Sequence, residues 1–341
     1  MKYLTSLFLL SIVLANVGGS LMYDSMKGFS IWLLYGNTII YTLGFWILAF
    51  LMNDNPLNSK HFSWKYQKHY IVLAISTAMN AFFYQFSVVW IDPLIVLVLG
   101  SLVLLQAPLF EWLLIPTKRK NYTFYQILGL LIVYSGMMIS MIPVFEKIPT
   151  ILETSSSYFN KWYWLLCFAI STIFTAWGQS AQYLALTDPK VKISPYSYTA
   201  WYNLYTVPLF CLALFVDTLP IINGSLTEKS LSLVLSNQIG AFRCFFGIPF
   251  DSDVLSGLCN PGATLWPLVL CIGFIGIFTT NALLIKNHGV LYPNMVAAIV
   301  WPLSALLLSP SLYCLIFTLF GFLTTFIGLY IKNYKPSLKL N

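Results

Sequence analysis

Ten stretches of about 20 apolar residues follow one another along this chain, the length at which a helix crosses the hydrocarbon core of a bilayer. They lie at 4–22, 30–52, 70–90, 93–115, 124–145, 162–186, 198–217, 263–285, 290–308 and 312–332. Membrane β-strands need only about 9–11 residues and alternate in polarity, so stretches of this length predict helices. Composition agrees: 58% of the residues are hydrophobic and 9% are charged, against roughly 25% charged in a soluble domain. The chain reads as an all-α polytopic membrane protein with ten transmembrane helices, its partner the lipid bilayer.

A formal net charge of +7 would suit nucleic acid if the basic residues formed one patch. They do not. With the N-terminus in the cytosol and the ten segments alternating, 13 basic residues fall on the cytosolic side, Lys60, Lys118, Arg119, Lys120, Lys190, Lys192 and Lys286 among them. The far side receives 5: Lys27, Lys147, Lys161, Lys229 and Arg243. Basic residues collect in cytosolic loops of membrane proteins, so the asymmetry predicts cytosolic N- and C-termini and no nucleic-acid partner. The N-terminal MKYLTSLFLLSIVLANVGGS has the features shared by a cleaved signal peptide and a retained signal anchor. Retention is the expectation, because an internal repeat needs the first helix.

That repeat joins NAFFYQFSVVWIDP (80–93) to NALLIKNHGVLYP (281–293), and LGLLIVYSGMMIS (128–140) to FGFLTTFIGLYIK (320–332). The second pair carries two glycines seven apart in each half, Gly129/Gly136 and Gly321/Gly328. The offsets are 201 and 192, so the first half holds a longer link between its fourth and fifth helices. Five helices per repeat is an odd number, so the second half enters the membrane inverted. Residues 1–145 form the first repeat, 146–161 a lumenal linker and 162–335 the second repeat, with a long lumenal loop at 218–262. Inverted repeats are built into secondary transporters, whose substrate site lies near the midplane between halves. Small residues let helices approach closely, so the glycine pairs read as scaffold or as a homodimer seam.

The long loop contains Asn223-Gly224-Ser225, a glycosylation acceptor usable on the non-cytosolic face. Ser225 and Glu228 have capping-box spacing, and Leu231, Val234, Leu235, Gln238, Ile239 and Phe242 form a stripe expected on a short helix lying on the membrane surface. Cys244 and Cys259 follow. In an oxidising compartment these two are expected to form a disulfide, a loop closure that would stabilise by roughly 3 kcal/mol in the chain-entropy model. The other cysteines, Cys167, Cys211, Cys271 and Cys314, sit in apolar segments, where a thiol acts as a small hydrophobe.

The run NQIGAFRCFFG (237–247), then Cys259 and Asn281-Ala282-Leu283, resembles the chloroquine-resistance transporter-like family. So do LFGFLTTFIGLYIKN in the tenth segment, YQILGLLIVYSGMMI in the fifth, and Pro108 and Pro302 in the fourth and ninth. The resemblance implies a drug/metabolite transporter fold of ten helices with both termini cytosolic. It implies a vacuolar or other organelle membrane, and a secondary active transporter of amino acids, short peptides or cationic metabolites, with the proton as coupling ion. Some family members have two disulfides in the lumenal loop; this chain has cysteines for one.

Polar side chains within lipid tend to face the bundle or a wet cavity. Asn37, Asn80, Gln85, Gln106, Gln179, Gln182, Asn203 and Asn281 are candidates for a substrate cavity. Asn80 and Asn281 are counterparts in the repeat; each either binds solute or glues helices. Pro108 and Pro302 kink their helices, and with Gly100 and Trp301 nearby they mark the fourth and ninth helices as cavity walls. Glu111, the one acid deep in an apolar run, is a candidate proton carrier; pairing with Lys118–Lys120 is the favoured reading. No cofactor or metal is expected, and an enzyme is disfavoured because His61, His69 and His288 lie in or beside loops without ligand spacing. The alternative reading is a nucleotide-sugar or other metabolite carrier of the same superfamily. No Lys or Arg sits deep in a segment to meet phosphates.

Overall fold

The structure is a computed structural model that describes residues 2–25, 30–88, 91, 99–115, 123–140, 142–143, 158–216, 230–248, 262–308 and 312–333. Among these residues the regular structure is entirely helical. Eleven α-helices follow in order: α1 Lys2–Ser25, α2 Ser30–Leu51, α3 Trp64–Val88, α4 Val103–Leu114, α5 Phe124–Ser140, α6 Tyr158–Thr187, α7 Pro195–Val216, α8 Leu231–Phe245, α9 Leu265–His288, α10 Leu291–Leu308 and α11 Leu312–Asn333. A 3-10 turn, Ser59–Phe62, precedes α3. Each of the ten apolar segments thus carries one helix among the described residues, and the extra helix, α8, lies inside the long loop. Among the described residues one helix, Leu265–His288, is both long and apolar enough to cross a membrane; Tyr3–Gly19, Gly36–Leu51, Val103–Leu114, Phe124–Ser140 and Leu315–Ile331 are shorter apolar helical stretches.

Helix ends follow local chemistry. Gly289 closes α9 at φ 85°, with its N–H on the Ile285 carbonyl at 2.9 Å; a positive φ there suits glycine. The expected capping box at Ser225 and Glu228 lies outside the described residues. The cap that α8 uses is Ser230, whose hydroxyl accepts from the Leu233 N–H at 3.2 Å. Of the stripe expected on α8, Leu231, Leu235, Ile239 and Phe242 are exposed and Val234 is buried. Ala241, Cys244 and Phe245 pack against Met22, Ala263 and Leu270. The helix is therefore apolar on two faces, one packed and one turned outward.

Packing is tightest between α5 and α11, then α1 and α9, α3 and α6, and α2 and α7. The first three pairs approach closely on small residues. A Cβ on Gly136 would lie 2.7 Å from the Gly321 carbonyl, and one on Gly328 would lie 2.8 Å from the Gly129 carbonyl and 2.6 Å from the Val133 nitrogen. The sequence feature that offered a homodimer seam is therefore occupied within one chain. On α1 and α9, Gly273 meets Ala15 and Gly276 meets Ser11. Between α3 and α6, Ser76 donates to the Phe174 carbonyl at 2.6 Å beside Gly178. The outer surface is apolar: Leu43, Ile47, Leu319, Leu323 and Phe326 are each more than half exposed.

Candidate functional site

α6 carries Ser171, Thr175, Gln179 and Gln182 at intervals of four, four and three, which places them along one face of a helix. Helical Ser and Thr can satisfy themselves on their own backbone. Ser171 does so on the Phe168 carbonyl at 2.6 Å. Thr175 also reaches outward, donating to Asn80 Oδ1 on α3 at 2.9 Å. One turn on, Gln179 and Asn294 of α10 form a reciprocal amide pair. Gln179 Nε2 donates to Asn294 Oδ1 at 3.1 Å, and Asn294 Nδ2 donates to Gln179 Oε1 at 2.7 Å. Asn294 Nδ2 also reaches the Val290 carbonyl at 3.0 Å. The first turn of α10 touches α1 as well, through Tyr292 and Thr5, whose hydroxyls lie 3.3 Å apart.

Asn80, Thr175 and Gln179 are half-buried. Neutral amides and hydroxyls facing accessible space between helices can donate and accept without carrying charge, which suits the binding of a polar solute by hydrogen bonds. The arrangement brings Asn80 and Gln179 of the expected residues onto one wall, formed by α3, α6 and α10. It adds Thr175 and Asn294, which the sequence reading passed over. Thr175 was readable from its four-residue spacing to Gln179. Asn294 follows Pro293, and the repeat match ended at that proline.

The other expected residues scatter. Gln106 and Pro108 lie on α4, both half-buried, with Pro108 inside the helix and Gln106 Oε1 buried without a partner among the described residues. Glu111 is buried on the same helix at 4% exposure, and Lys118–Lys120 lie outside the described residues. Asn203 is sealed inside α7. Its Nδ2 donates to the Thr199 carbonyl at 2.8 Å, and its Oδ1 has no partner among the described residues. Asn281 is half-buried on α9 and makes no side-chain hydrogen bond among the described residues, whereas Asn80 accepts from Thr175. Trp301 and Pro302 belong to α10; Asn223 and Cys259 lie outside the described residues. Cys244 is buried at the end of α8 and is not among the free cysteines Cys167, Cys211 and Cys271.

A second polar cluster ties the α2–α3 connection to α7. Asp54 Oδ2 accepts from the Ser197 N–H at 2.8 Å, in the first turn of α7, and so caps a helix distant in sequence. Trp201 Nε1 donates to the Pro56 carbonyl at 2.9 Å. Gln67 Nε2 donates to the His61 carbonyl at 2.7 Å, and Tyr205 donates to Gln67 Oε1. His61 is fully buried, its Nδ1 2.6 Å from the Tyr70 hydroxyl. The Tyr70 ring stacks on Trp201 with centroids 5.9 Å apart. Burial alone would raise the Asp54 pKa, but hydrogen bonds from Ser194 and Ser197, with His61 nearby, outweigh it and hold the carboxyl below its usual range. Burial, helped by Lys60, pulls His61 below the ordinary histidine value despite Asp54.

No protein-family model matches the chain, and no curated protein matches it.

Proposed function

We propose that the chain is a secondary active transporter built of ten transmembrane helices in two inverted five-helix repeats. In this reading α1–α5 form one repeat, and α6, α7, α9, α10 and α11 the other. The observation that carries it is the pattern of helix pairing. Exchanging the two halves maps the pairs α5–α11, α2–α7 and α4–α10 onto themselves. The same exchange maps α1–α9 onto α6–α3, α3–α7 onto α9–α2, and α4–α6 onto α10–α1. The glycines obey it residue by residue. An offset of 192 carries Gly129 to Gly321 and Gly136 to Gly328, so the close approaches Gly136–Gly321 and Gly129–Gly328 exchange with each other. Such a pseudo-two-fold axis is the signature of inverted-repeat transporters. The exchange is imperfect: α10–α11, α9–α10, α5–α10 and α6–α9 pack, whereas their counterparts α4–α5, α3–α4, α4–α11 and α1–α3 barely meet among the described residues.

The solutes are small, polar and neutral or cationic: amino acids, short peptides or cationic metabolites. The support is a wall of amides and hydroxyls on α3, α6 and α10. The membrane is that of a vacuole or related organelle, with the proton as coupling ion and Glu111 as its candidate carrier. In this topology the loop bearing Asn223 and the Cys244–Cys259 disulfide lies in the lumen, and α8 rests its outer face on the bilayer. The chain acts as a carrier, not an enzyme.

Purified protein in liposomes with an imposed proton gradient tests this reading. Uptake of labelled amino acids or short peptides that collapses with a protonophore is the expected result. Exchange of nucleotide sugars without such uptake would overturn it in favour of the nucleotide-sugar carrier.

A further inference from the structure

A cleft of about 370 Å³ opens where α6, α7 and α9 end, away from the polar wall. Its volume is at the lower end of the roughly 300–1,000 Å³ usual for small-molecule sites. Leu186 and Ile193 line it and are almost fully buried, forming an apolar floor. Lys192 and Lys286 both line it, one from the α6–α7 connection and one from the last turn of α9, and both are exposed. Thr187 and Ser194 complete the polar lining.

The connection that presents Lys192 is fixed, not loose. Lys192 has φ 50°, a left-handed conformation that non-glycine residues adopt only when held. The hold comes from Asp188, whose carbonyl accepts from the Val191 and Lys192 N–H groups at 3.2 Å. The Asp188 carboxylate also lines the cleft, but its Oδ1 accepts from the Lys190 N–H at 2.8 Å. Among the described residues neither lysine is engaged by a carboxylate.

We propose that this cleft binds a phosphate-bearing anion between Lys192 and Lys286. Two lysines lining one cleft over an apolar floor match a charged head attached to an apolar body. In the topology proposed above the cleft opens at the cytosolic leaflet, where basic pockets between helices take anionic headgroups. Only that lipid source rests on the transporter reading; the anion site itself does not.

The experiment uses the full chain in nanodiscs of phosphatidylcholine with and without phosphatidic acid. Lipid retained by the protein after extraction is then counted by mass spectrometry. Wild-type protein retains phosphatidic acid. The double variant Lys192→Gln/Lys286→Gln binds it roughly thirtyfold more weakly, as expected from two surface lysines. Lys60→Gln/Lys68→Gln removes the same charge elsewhere on that face and leaves retention unchanged. Lys192→Arg/Lys286→Arg keeps it. If phosphatidic acid is not retained but inorganic phosphate raises the thermal midpoint of the wild type and not of the glutamine variant, the site stands with a free anion as ligand. Equal losses in both glutamine double variants would reduce the effect to general basicity and overturn the site. So would the absence of any response to either probe. Solute uptake is a separate readout, so a silent transporter and an empty cleft are told apart.

Discussion

The α5–α11 crossing and the polar face of α6 solve opposite problems. At the crossing, glycines bring two backbones together and leave no room for a side chain. On α6, Thr175 and Gln179 reach across to α3 and α10 through side chains and leave accessible space between. One region gains stability by excluding everything; the other keeps polar groups half-buried, as the proposed carrier would require. Substitutions should therefore separate them: the crossing should fail in folding, and the polar face should fail in function while folding survives.

The largest effect is expected at the crossing. Gly136→Leu places atoms within 2.7 Å of the Gly321 carbonyl and of the Thr325 nitrogen, both backbone, which cannot step aside. Overpacking of a tight interior costs about 1–3 kcal/mol or more, and this site belongs at the upper end. The fraction of monodisperse protein in detergent, and its unfolding midpoint, should drop sharply. Near-normal behaviour of this variant would mean that α5 and α11 are not the rigid seam described here.

Next comes the polar face. Interhelical hydrogen bonds in membrane proteins contribute on average about 0.6 kcal/mol each, so Gln179→Ala and Asn294→Ala should shift stability little. Solute uptake should fall about tenfold or more if transition-state contacts worth 1.4 kcal/mol are lost. The double variant should lose no more than either single one, because the pair is reciprocal. A pair that matters only as glue would show the reverse: a larger stability change and unaltered uptake.

Much of this contrast was readable in advance, and the part that was not has a physical reason. Apolar length predicted the helices, and the seven-residue glycine spacing predicted a close-packed seam. Whether that seam joined two chains or two halves of one could not be read, since the same surface serves either. Polar residues within apolar runs pointed to Asn80 and Gln179, but Asn203 looked the same on the page. Only three dimensions reveal that Asn203 is sealed within α7 and that Gln179 finds Asn294 rather than a backbone carbonyl. The capping of α7 by Asp54 was also out of reach, because 143 positions separate donor and acceptor.

That cap gives a smaller, sharper test. Removing an N-cap acceptor costs about 1 kcal/mol, so Asp54→Ala should lower the unfolding midpoint modestly, and Asp54→Asn by less because an acceptor remains. The carboxyl is held below its ordinary value in the folded chain. Its charge-dependent contribution is therefore complete above the unfolded aspartate pKa of about 3.9. It is lost as pH falls through the lower folded value. Both variants should flatten the acid limb below about pH 4. An unchanged acid limb in Asp54→Asn would mean that the cap works through geometry alone.

The smallest effect belongs to His61, and its pH window keeps it distinct from Asp54. The imidazole is buried and its folded pKa is lowered, while the unfolded chain binds a proton near pH 6.5, about the ordinary histidine value. Stability is then complete above about 6.5 and declines as pH falls towards the folded value, because only the unfolded state takes up the proton. The groups facing the ring are the Tyr70 hydroxyl, the Tyr66 ring edge, Lys60 and Asp54. Of these, Asp54 alone would favour the imidazolium. Removing that carboxylate should therefore steepen the decline below about pH 6.5, while His61→Asn should reduce it to the share of His69, which burial also holds below its ordinary value, and leave the acid limb near pH 4 in place. If the midpoint of the wild type is flat between about pH 7.5 and 5.5, His61 does not titrate differently on unfolding. The cluster at the α2–α3 connection would then hold α7 by packing and capping only, as the glycine seam holds α5 against α11 without any titrating group.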